Sequence, residues 1–397
     1  MGSVLFKTVL TFFLLFFSFY GQTAYDVTKR YSLAMDKMGN QDILDPPGKG
    51  LFFDFWGTVN TSIVDMIKQA SAISDQSGAN AFISGNAGTE QGGNISINTG
   101  TPLPRFKLFG TRFYPQLTLK TDIGAILGFQ AADITEENLV ALTGESASTI
   151  SALVTSIGRL PTEDEVLNTW CSCSSFGSAR APSGTMFHLY NKVKSTLGTT
   201  LNFRYRKRIN GFIKLYVDTR SDFKLIKSLY DLAGGNIGTD FGANLHSNLT
   251  ADLRLGYKRK KWSVFYQWEG LDIIPIIQMK DSATFYYGKN NLSRIHGNYK
   301  FKFRKAAINT FAGAHQRKDH YTWGDSFYFG GEASTKFWKG RFGLSTRLML
   351  DPEHWNIGLK LKGWIGHLNY LIRLPKVSSA DGVSVSSLHS LNLRTFF

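Results

Sequence analysis

The sequence predicts an all-β transmembrane antiparallel barrel of about 12–16 strands, at roughly 10 residues per strand, with a small helical insertion. The first supporting observation is an apolar run near the N-terminus. The second is the alternation of apolar and polar residues through the C-terminal half, and the third is a last strand that ends on Phe397. Composition agrees, because Phe, Tyr and Trp make up 14% of the chain and charged residues only 19%.

The N-terminal run predicts export. Lys7 precedes the almost wholly apolar residues 9–20, and small or polar residues follow as far as Ala24. This is the pattern of a cleavable secretory signal peptide over residues 1–24. A membrane-spanning helix needs about 20 residues, and a buried helix in a soluble protein would suit so many phenylalanines poorly. We therefore expect export and, for a barrel, a place in the bacterial outer membrane.

The net charge of +15 narrows the class of partner. An exported protein does not meet nucleic acid, so we expect outer-membrane lipid, lipopolysaccharide or small anionic solutes to complement this charge. Cys171 and Cys173 are the only cysteines, and their spacing by one residue leaves a disulfide between them undecided. We expect no cofactor and no bound metal.

The chain divides into four regions. We assign 1–24 to the signal peptide, 25–130 to an N-terminal segment with the first strands and a loop, 131–198 to an acidic helical insertion and linker, and 199–397 to the C-terminal hairpins of the barrel. In the N-terminal segment, alternation around Phe53 and Phe55 predicts a strand. Residues 84–102 are rich in Gly, Asn, Ser and Thr, and this predicts a loop.

The insertion differs from the rest of the chain in charge. Residues 131–170 contain seven acidic side chains and one basic side chain, Arg159. Apolar residues recur at helical spacing between Ile150 and Ile157. Two interpretations remain open, a solvated helical loop and an acidic plug that rests in a basic lumen.

The region after residue 199 repeats one pattern. In the segment 298–304, aromatic residues alternate with Lys and Arg, and similar alternation recurs at 200–206 and 341–350. A soluble sheet and a transmembrane barrel both produce this alternation. The export signal, the terminal strand and the Trp and Tyr residues near strand ends favour the barrel, because aromatic girdles mark both membrane interfaces.

In a barrel, charge fixes which face of each strand points inward. A Lys or Arg side chain that faces lipid near the midplane costs about 2–4 kcal/mol, so the cations must face the lumen. The predicted pore-lining residues are Arg204, Arg206, Arg254, Lys258, Lys300, Lys302, Arg304, Arg347, Lys360 and Lys362. They would form an anion-preferring pore or a basic cradle for an acidic plug, unless they only fill a polar interior.

The last strand resembles the assembly signature of bacterial outer-membrane barrels. Leu391, Leu393 and Phe397 match the alternate apolar positions and the terminal phenylalanine of this signature, which implies the barrel-assembly machinery as a partner. Further strand sequences resemble those of the FadL-like superfamily, at 238–245, 329–348, 355–374 and 389–397. Within that superfamily the layout is most similar to that of TraF-type conjugal-transfer barrels.

Two classes of function follow. We expect an outer-membrane channel or transporter for small anionic solutes, or for hydrophobic ones as the FadL-like resemblance implies. The alternative is a non-enzymatic structural or accessory component of an envelope, secretion or conjugal-transfer assembly, as the TraF-like layout implies. We expect no enzyme, because the histidines are scattered without a nucleophile motif, and we place them at surfaces or interfaces.

Overall fold

A computed structural model describes residues 27–45, 50–60, 62–72, 82, 85–86, 88–131, 146–158, 185–206, 208–228, 245–278, 291–303, 306–318, 320–337, 341–380 and 383–397. Fourteen of its strands close into an antiparallel barrel, which confirms the predicted fold class. The predicted signal peptide, Arg304, most of the acidic insertion and both cysteines lie outside the described residues. Those assignments stay predictions.

The barrel wall follows chain order. Its strands are β1 (Phe52–Asn60), β2 (Thr89–Pro102), β4 (Thr111–Ala131), β5 (Thr185–Tyr205), β6 (Ile209–Ser228), β7 (Leu245–Lys258), β8 (Trp262–Gln278), β9 (Leu292–Lys302), β10 (Ala306–Arg317), β11 (Tyr328–Phe337), β12 (Phe342–Leu350), β13 (His354–Lys362), β14 (Gly366–Pro375) and β17 (Leu388–Phe396). The barrel closes because β17 pairs with both β14 and β1. Three short strands extend the sheet, β3 (Phe106–Leu108), β15 (Ser379–Ala380) and β16 (Val383–Ser384).

Four described helices lie between or beside the strands of this wall. They are α1 (Val27–Leu44), α2 (Ser62–Ser71), α3 (Ala147–Ile157) and α4 (Trp323–Ser326). None of these four helices is both long enough and apolar enough to cross a membrane. Helix α2 directly follows β1 along the chain. Helix α3 lies within the predicted insertion, ends at Gly158 in the left-handed region, and is exposed along most of its length.

The two faces of the wall are reversed relative to a soluble protein. In β13, Trp355 and Ile357 are 43% and 46% exposed, whereas Asn356 between them is fully buried. In β17, Leu391 and Leu393 are 45% and 44% exposed, with Asn392 buried at 3%. Apolar side chains therefore point outward and polar side chains inward. This arrangement suits a barrel whose outer surface meets lipid.

The two ends of the barrel carry different connections. At one end, here called the short-turn end, the strands are joined by residues 103–110, 206–208, 259–261, 303–305, 338–341 and 363–365. At the other, the long-loop end, the connections include 61–88, 132–184, 229–244, 279–291, 318–327 and 376–387. Outer-membrane barrels place short turns on the periplasmic side and long loops outside. Strand β1 starts and β17 ends at the short-turn end.

One predicted loop is wrong. The Gly-rich stretch 84–102 contains β2, which pairs with β1 on one side and with β4 on the other. Small residues are needed there because neighbouring side chains lie over the strand: a Cβ on Gly100 would stand 2.2 Å from the Phe52 ring. Strand β5 also begins at Thr185, inside the range predicted as insertion and linker.

Candidate functional site in the barrel lumen

Helix α1 lies inside the barrel. On one side the ring of Tyr31 packs edge-on against Tyr190 of β5, with 4.6 Å between ring centroids, and on the other side Asp36 bonds to Arg317 of β10. Polar residues such as Asn40 and Gln41 are buried at 1% exposure. A helix buried among polar side chains fits the polar interior of a membrane barrel, where an apolar helix would leave the strand side chains without partners.

The helix is anchored at the long-loop end by ion pairs. Arg30 Nε lies 2.8 Å from Glu90 Oε2. Lys37 Nζ lies 3.1 Å from Glu353 Oε2 and 3.7 Å from Asp351 Oδ1, in the turn between β12 and β13. Burial alone would raise the pKa of Asp351, but Lys37, His354 and Arg373 together outweigh burial and hold that pKa well below its usual range. Burial likewise raises the pKa of Glu353, and Lys37 with Arg30 and His354 lowers it overall. Both carboxylates of this turn are therefore charged when they hold the helix.

The middle of the helix carries the most complete set of bonds. Arg317 Nε and Nη2 donate to the two oxygens of Asp36, each at 2.8 Å, and Tyr321 Oη donates to Asp36 Oδ2 at 2.5 Å. His315 contacts Tyr321 Oη at 2.9 Å and Asn40 Nδ2 at 3.3 Å. Burial raises the pKa of Asp36, but the charge and hydrogen bonds of Arg317, together with His315 and Tyr321, more than offset burial and lower that pKa overall.

Three basic side chains of the barrel wall hold the C-terminal end of the helix. Arg347 Nη2 lies 2.6 Å from Asp45 Oδ2 and also 2.6 Å from Glu332 Oε2. Lys360 pairs with the other oxygen of Asp45. Arg394 pairs with Asp54 of β1 and donates to the Asp45 carbonyl. Helix α1 thus spans the lumen from the long-loop end to the short-turn end.

A cavity of about 830 Å³ remains beside the helix. It lies between α1 and the strands from β1 to β10. Its lining contains ten basic residues, Lys120, Lys192, Lys194, Arg204, Lys214, Arg220, Arg254, Lys258, Arg294 and Arg317, and five acidic residues, Asp36, Asp42, Asp122, Asp252 and Glu269. Basic side chains therefore outnumber acidic ones two to one on its wall.

Arg254 is the best-oriented cation of the cavity. Its guanidinium lies between two rings, with its carbon 4.3 Å from the Phe265 centroid and 4.7 Å from the Phe212 centroid. Arg254 Nε donates to Gln267 Oε1 at 2.5 Å. Stacking and one hydrogen bond fix the plane of the group, and Arg254 lines the cavity.

The predicted pore-lining residues fall into three groups. Arg204, Arg254 and Lys258 line the cavity, and Arg347 and Lys360 bind Asp45, the residue that follows helix α1. The remaining described residues, Arg206, Lys300, Lys302 and Lys362, are exposed near the short-turn end. The predicted set omitted Asp36, Arg317 and Tyr321. The only signal for them in the sequence is that Asp36 and Arg317 are charged and that both stand in stretches without apolar periodicity.

The predicted placement of the histidines at surfaces is wrong for several of them. His315 is fully buried, and His296 and His354 are 3% and 5% exposed. They face the polar lumen, where Tyr328 Oη lies 2.9 Å from the Nδ1 atom of His296. Within the described part of the chain, no group of three or more His, Cys, Asp or Glu side chains could hold a metal ion.

The sequence matches no protein-family model and no curated protein. Among solved structures it is similar to CdiB from Escherichia coli, at 9% identity and a TM-score of 0.37, with 89% of this chain aligned to only 63% of that one. It is also similar to the deltaS2S3 mutant of TodX, a monoaromatic hydrocarbon channel, at 9% identity and a TM-score of 0.43, covering 91% of this chain and 94% of that one.

A Pseudomonas aeruginosa FadL homologue is a third similar structure, at 8% identity and a TM-score of 0.33, covering 78% of this chain and 69% of that one. A FadL homologue is thus one of the structures to which the chain is similar. At these TM-scores the similarity is one of general outer-membrane barrel architecture. The resemblance to TraF-type barrels stays a prediction.

Proposed function

We propose that the protein is a channel or transporter of the bacterial outer membrane for small anionic solutes, and that helix α1 closes its lumen. The observation that carries this proposal is the basic cavity beside α1. We also propose that a signal peptide over residues 1–24 directs its export, and that the protein has no enzymatic role.

The size of the barrel supports a transport function. Barrels of about 8 strands are filled by their own side chains, whereas barrels of 16–18 strands enclose an aqueous channel. With fourteen strands, this barrel has room for a helix of 18 residues and for a cavity of about 830 Å³. Removal of α1 would join the space of the helix to the cavity and produce a continuous lumen.

The charge of the cavity supports anions as the solute class. A confined space lined by one sign of charge concentrates ions of the opposite sign. Arg254 offers a fixed guanidinium, the group best suited to planar carboxylates and to phosphates. The cavity lining also includes apolar residues, namely Met35, Met38 and Ile43 of α1 with Trp56 of β1. Small organic anions with an apolar part therefore fit this space best.

Conductance in planar bilayers tests the proposal. We expect low conductance from the intact protein and a large increase after deletion of Val27–Leu44. In a KCl gradient the opened barrel should show the reversal potential of an anion-preferring pore. Replacing Lys192, Lys194 and Arg254 with Gln should shift that potential towards zero, because it removes three cations from the cavity wall.

The scaffold alternative predicts a different outcome. The many ion pairs that hold α1 favour a permanently closed barrel, which would suit an accessory role in an envelope assembly. Under that alternative, the intact protein would stay closed and would show no current or uptake specific to anionic solutes before α1 is deleted. A cation preference in the opened barrel would reject the anionic solute class while leaving the channel function in place.

A further inference from the structure

The strongest unexplained feature outside the lumen is a cluster of cations at the short-turn end. We define the basic sector as the seven exposed residues Arg206, Arg208, Arg259, Lys260, Lys261, Lys300 and Lys302. They occupy the short-turn ends of β5–β9 and the turns between them. The sector spans five adjacent strands, or about 20 Å at 4.8 Å per strand.

Neighbouring turns bring these cations together. Lys258 N donates to the carbonyl of Arg208 at 2.7 Å, and Lys300 N donates to the carbonyl of Lys261 at 2.6 Å. The segments 198–217, 253–267 and 297–318 of the sequence contain no Asp or Glu. The sector therefore has no acidic residue on its own strand ends, and like charges lie side by side at a cost in stability unless an anion balances them.

Cations nearer the long-loop end are arranged differently. Lys194 Nζ lies 3.2 Å from Asp218 Oδ2, and Arg220 Nη2 lies 3.8 Å from Asp272 Oδ2. These two cations are each paired with an acid on a nearby strand. At the short-turn ends of β5–β9, by contrast, the sequence places no Asp or Glu beside the cations.

Aromatic side chains set the depth of the sector in the membrane. The Arg206 guanidinium lies over the Tyr205 ring at 5.1 Å from its centroid. Arg259 Nε donates to Tyr257 Oη at 3.4 Å, and the Tyr257 ring lies 5.5 Å from that of Trp262. Tyr and Trp mark the boundary between hydrocarbon and headgroups, so the cations beside them lie at the depth of lipid phosphates.

We propose that the basic sector binds the phosphate groups of anionic phospholipids in the leaflet at the short-turn end. The turns contain only three residues, so their side chains stay close to the membrane surface and do not reach far towards a protein partner. Each Lys or Arg near a membrane surface adds to its attraction for anionic lipid. This inference does not depend on the proposed transport of anions, because the sector surrounds turns and not the cavity.

Native mass spectrometry of the purified protein in detergent tests the inference. The probes are phosphatidylglycerol, which is anionic, and phosphatidylcholine, which is zwitterionic. The test variant carries Arg259→Gln, Lys260→Gln and Lys261→Gln. The matched control carries Lys336→Gln, Arg341→Gln and Lys362→Gln, which removes three exposed cations from the same end but from β11–β13.

We expect the intact protein to bind phosphatidylglycerol more tightly than phosphatidylcholine. The test variant should bind phosphatidylglycerol roughly 10- to 100-fold more weakly, whereas the control variant should keep most of the affinity. Added salt should weaken binding to the intact protein, because these charges are exposed. Equal affinity for the two lipids, or equal losses in both variants, would overturn the inference.

Two additional variants keep the test decisive. If the triple variant fails to fold, Arg206→Gln with Arg208→Gln removes two cations from the adjacent turn and should also weaken phosphatidylglycerol binding. Replacing Lys260 with Arg keeps the charge and should preserve binding. An acidic protein that crosslinks to position 260 in cells, together with unchanged lipid affinity in the Gln variants, would assign the sector to a protein partner and reject the lipid.

Discussion

Replacement of Asp36 by Asn should release helix α1 from the lumen. Asp36 accepts two hydrogen bonds from Arg317 and one from Tyr321, and its side chain is only 10% exposed. Asn keeps nearly the same shape but has no charge. The substitution therefore leaves the Arg317 guanidinium buried without its counter-ion, while the hydrogen bonds between the strands of the wall stay intact.

The expected size of the effect follows from this geometry. Loss of one partner from a buried ion pair costs about 3–5 kcal/mol, and the remaining amide bonds place Asp36→Asn near the lower limit. A change of about 3 kcal/mol corresponds to roughly a 100-fold shift in an equilibrium constant. Because the wall is unaffected, we assign this loss to docking of α1 and not to unfolding of the barrel.

Thiol labelling measures the docking equilibrium. Ser32 is fully buried on α1, so Ser32→Cys, in a chain whose two native cysteines are replaced by Ser, should react with a small maleimide only when the helix undocks. Asp36→Asn should accelerate labelling roughly 100-fold. The control is Asp65→Asn on α2, which removes the same charge from an exposed position and should leave the rate unchanged.

A double variant separates charge from packing. Arg317→Gln in the Asp36→Asn background removes the uncompensated cation and should recover part of the docking energy, as a coupling energy in a double-mutant cycle. Equal labelling rates in Asp36→Asn and Asp65→Asn would refute the reasoning, because they would show that the ion pair does not hold the helix.

Three further predictions use the same barrel. Gly330→Ala should lower the yield of the heat-modifiable folded form, since a Cβ there would stand 2.2 Å from the Leu348 carbonyl oxygen, whereas Gly331→Ala, with its nearest neighbour at 3.8 Å, should be tolerated. In whole cells, an impermeant maleimide should label a Cys at Thr322 but not one at Lys260; the reverse result would invert the topology. The pKa of Asp36 is lowered when α1 docks. The stabilisation that Asp36 gives to the docked helix is therefore fully present above the ordinary pKa of aspartate and is lost as the pH falls below it. Conductance should accordingly stay low from pH 8 to pH 5 and rise only below about pH 4.

The sequence alone determined the nature of the wall. Alternation in segments such as 356–363 places apolar residues on one face of a strand, and the cost of Lys or Arg in lipid decides which face points outward. The alternation and the choice of the outward face both depend on residues that are one or two positions apart in the chain. The predicted range of about 12–16 strands accordingly includes the fourteen that close the barrel, although β2 was hidden by a composition that is typical of loops.

Only the tertiary structure decided what fills the barrel. Residues 27–44 lack a single apolar stripe, because apolar side chains such as Leu33 and Leu44 pack against separate apolar clusters of the wall, with polar contacts between them. The usual sign of a packed helix is therefore absent. The partners of this helix are also remote: Asp36 and Arg317 are 281 positions apart. The seven acidic side chains of residues 131–170 suggested that this segment could be an acidic plug in a basic lumen, and that interpretation stays a prediction. The helix that occupies the lumen carries both signs, and its fit depends on the three-dimensional position of each wall cation, which closure of the barrel alone fixes.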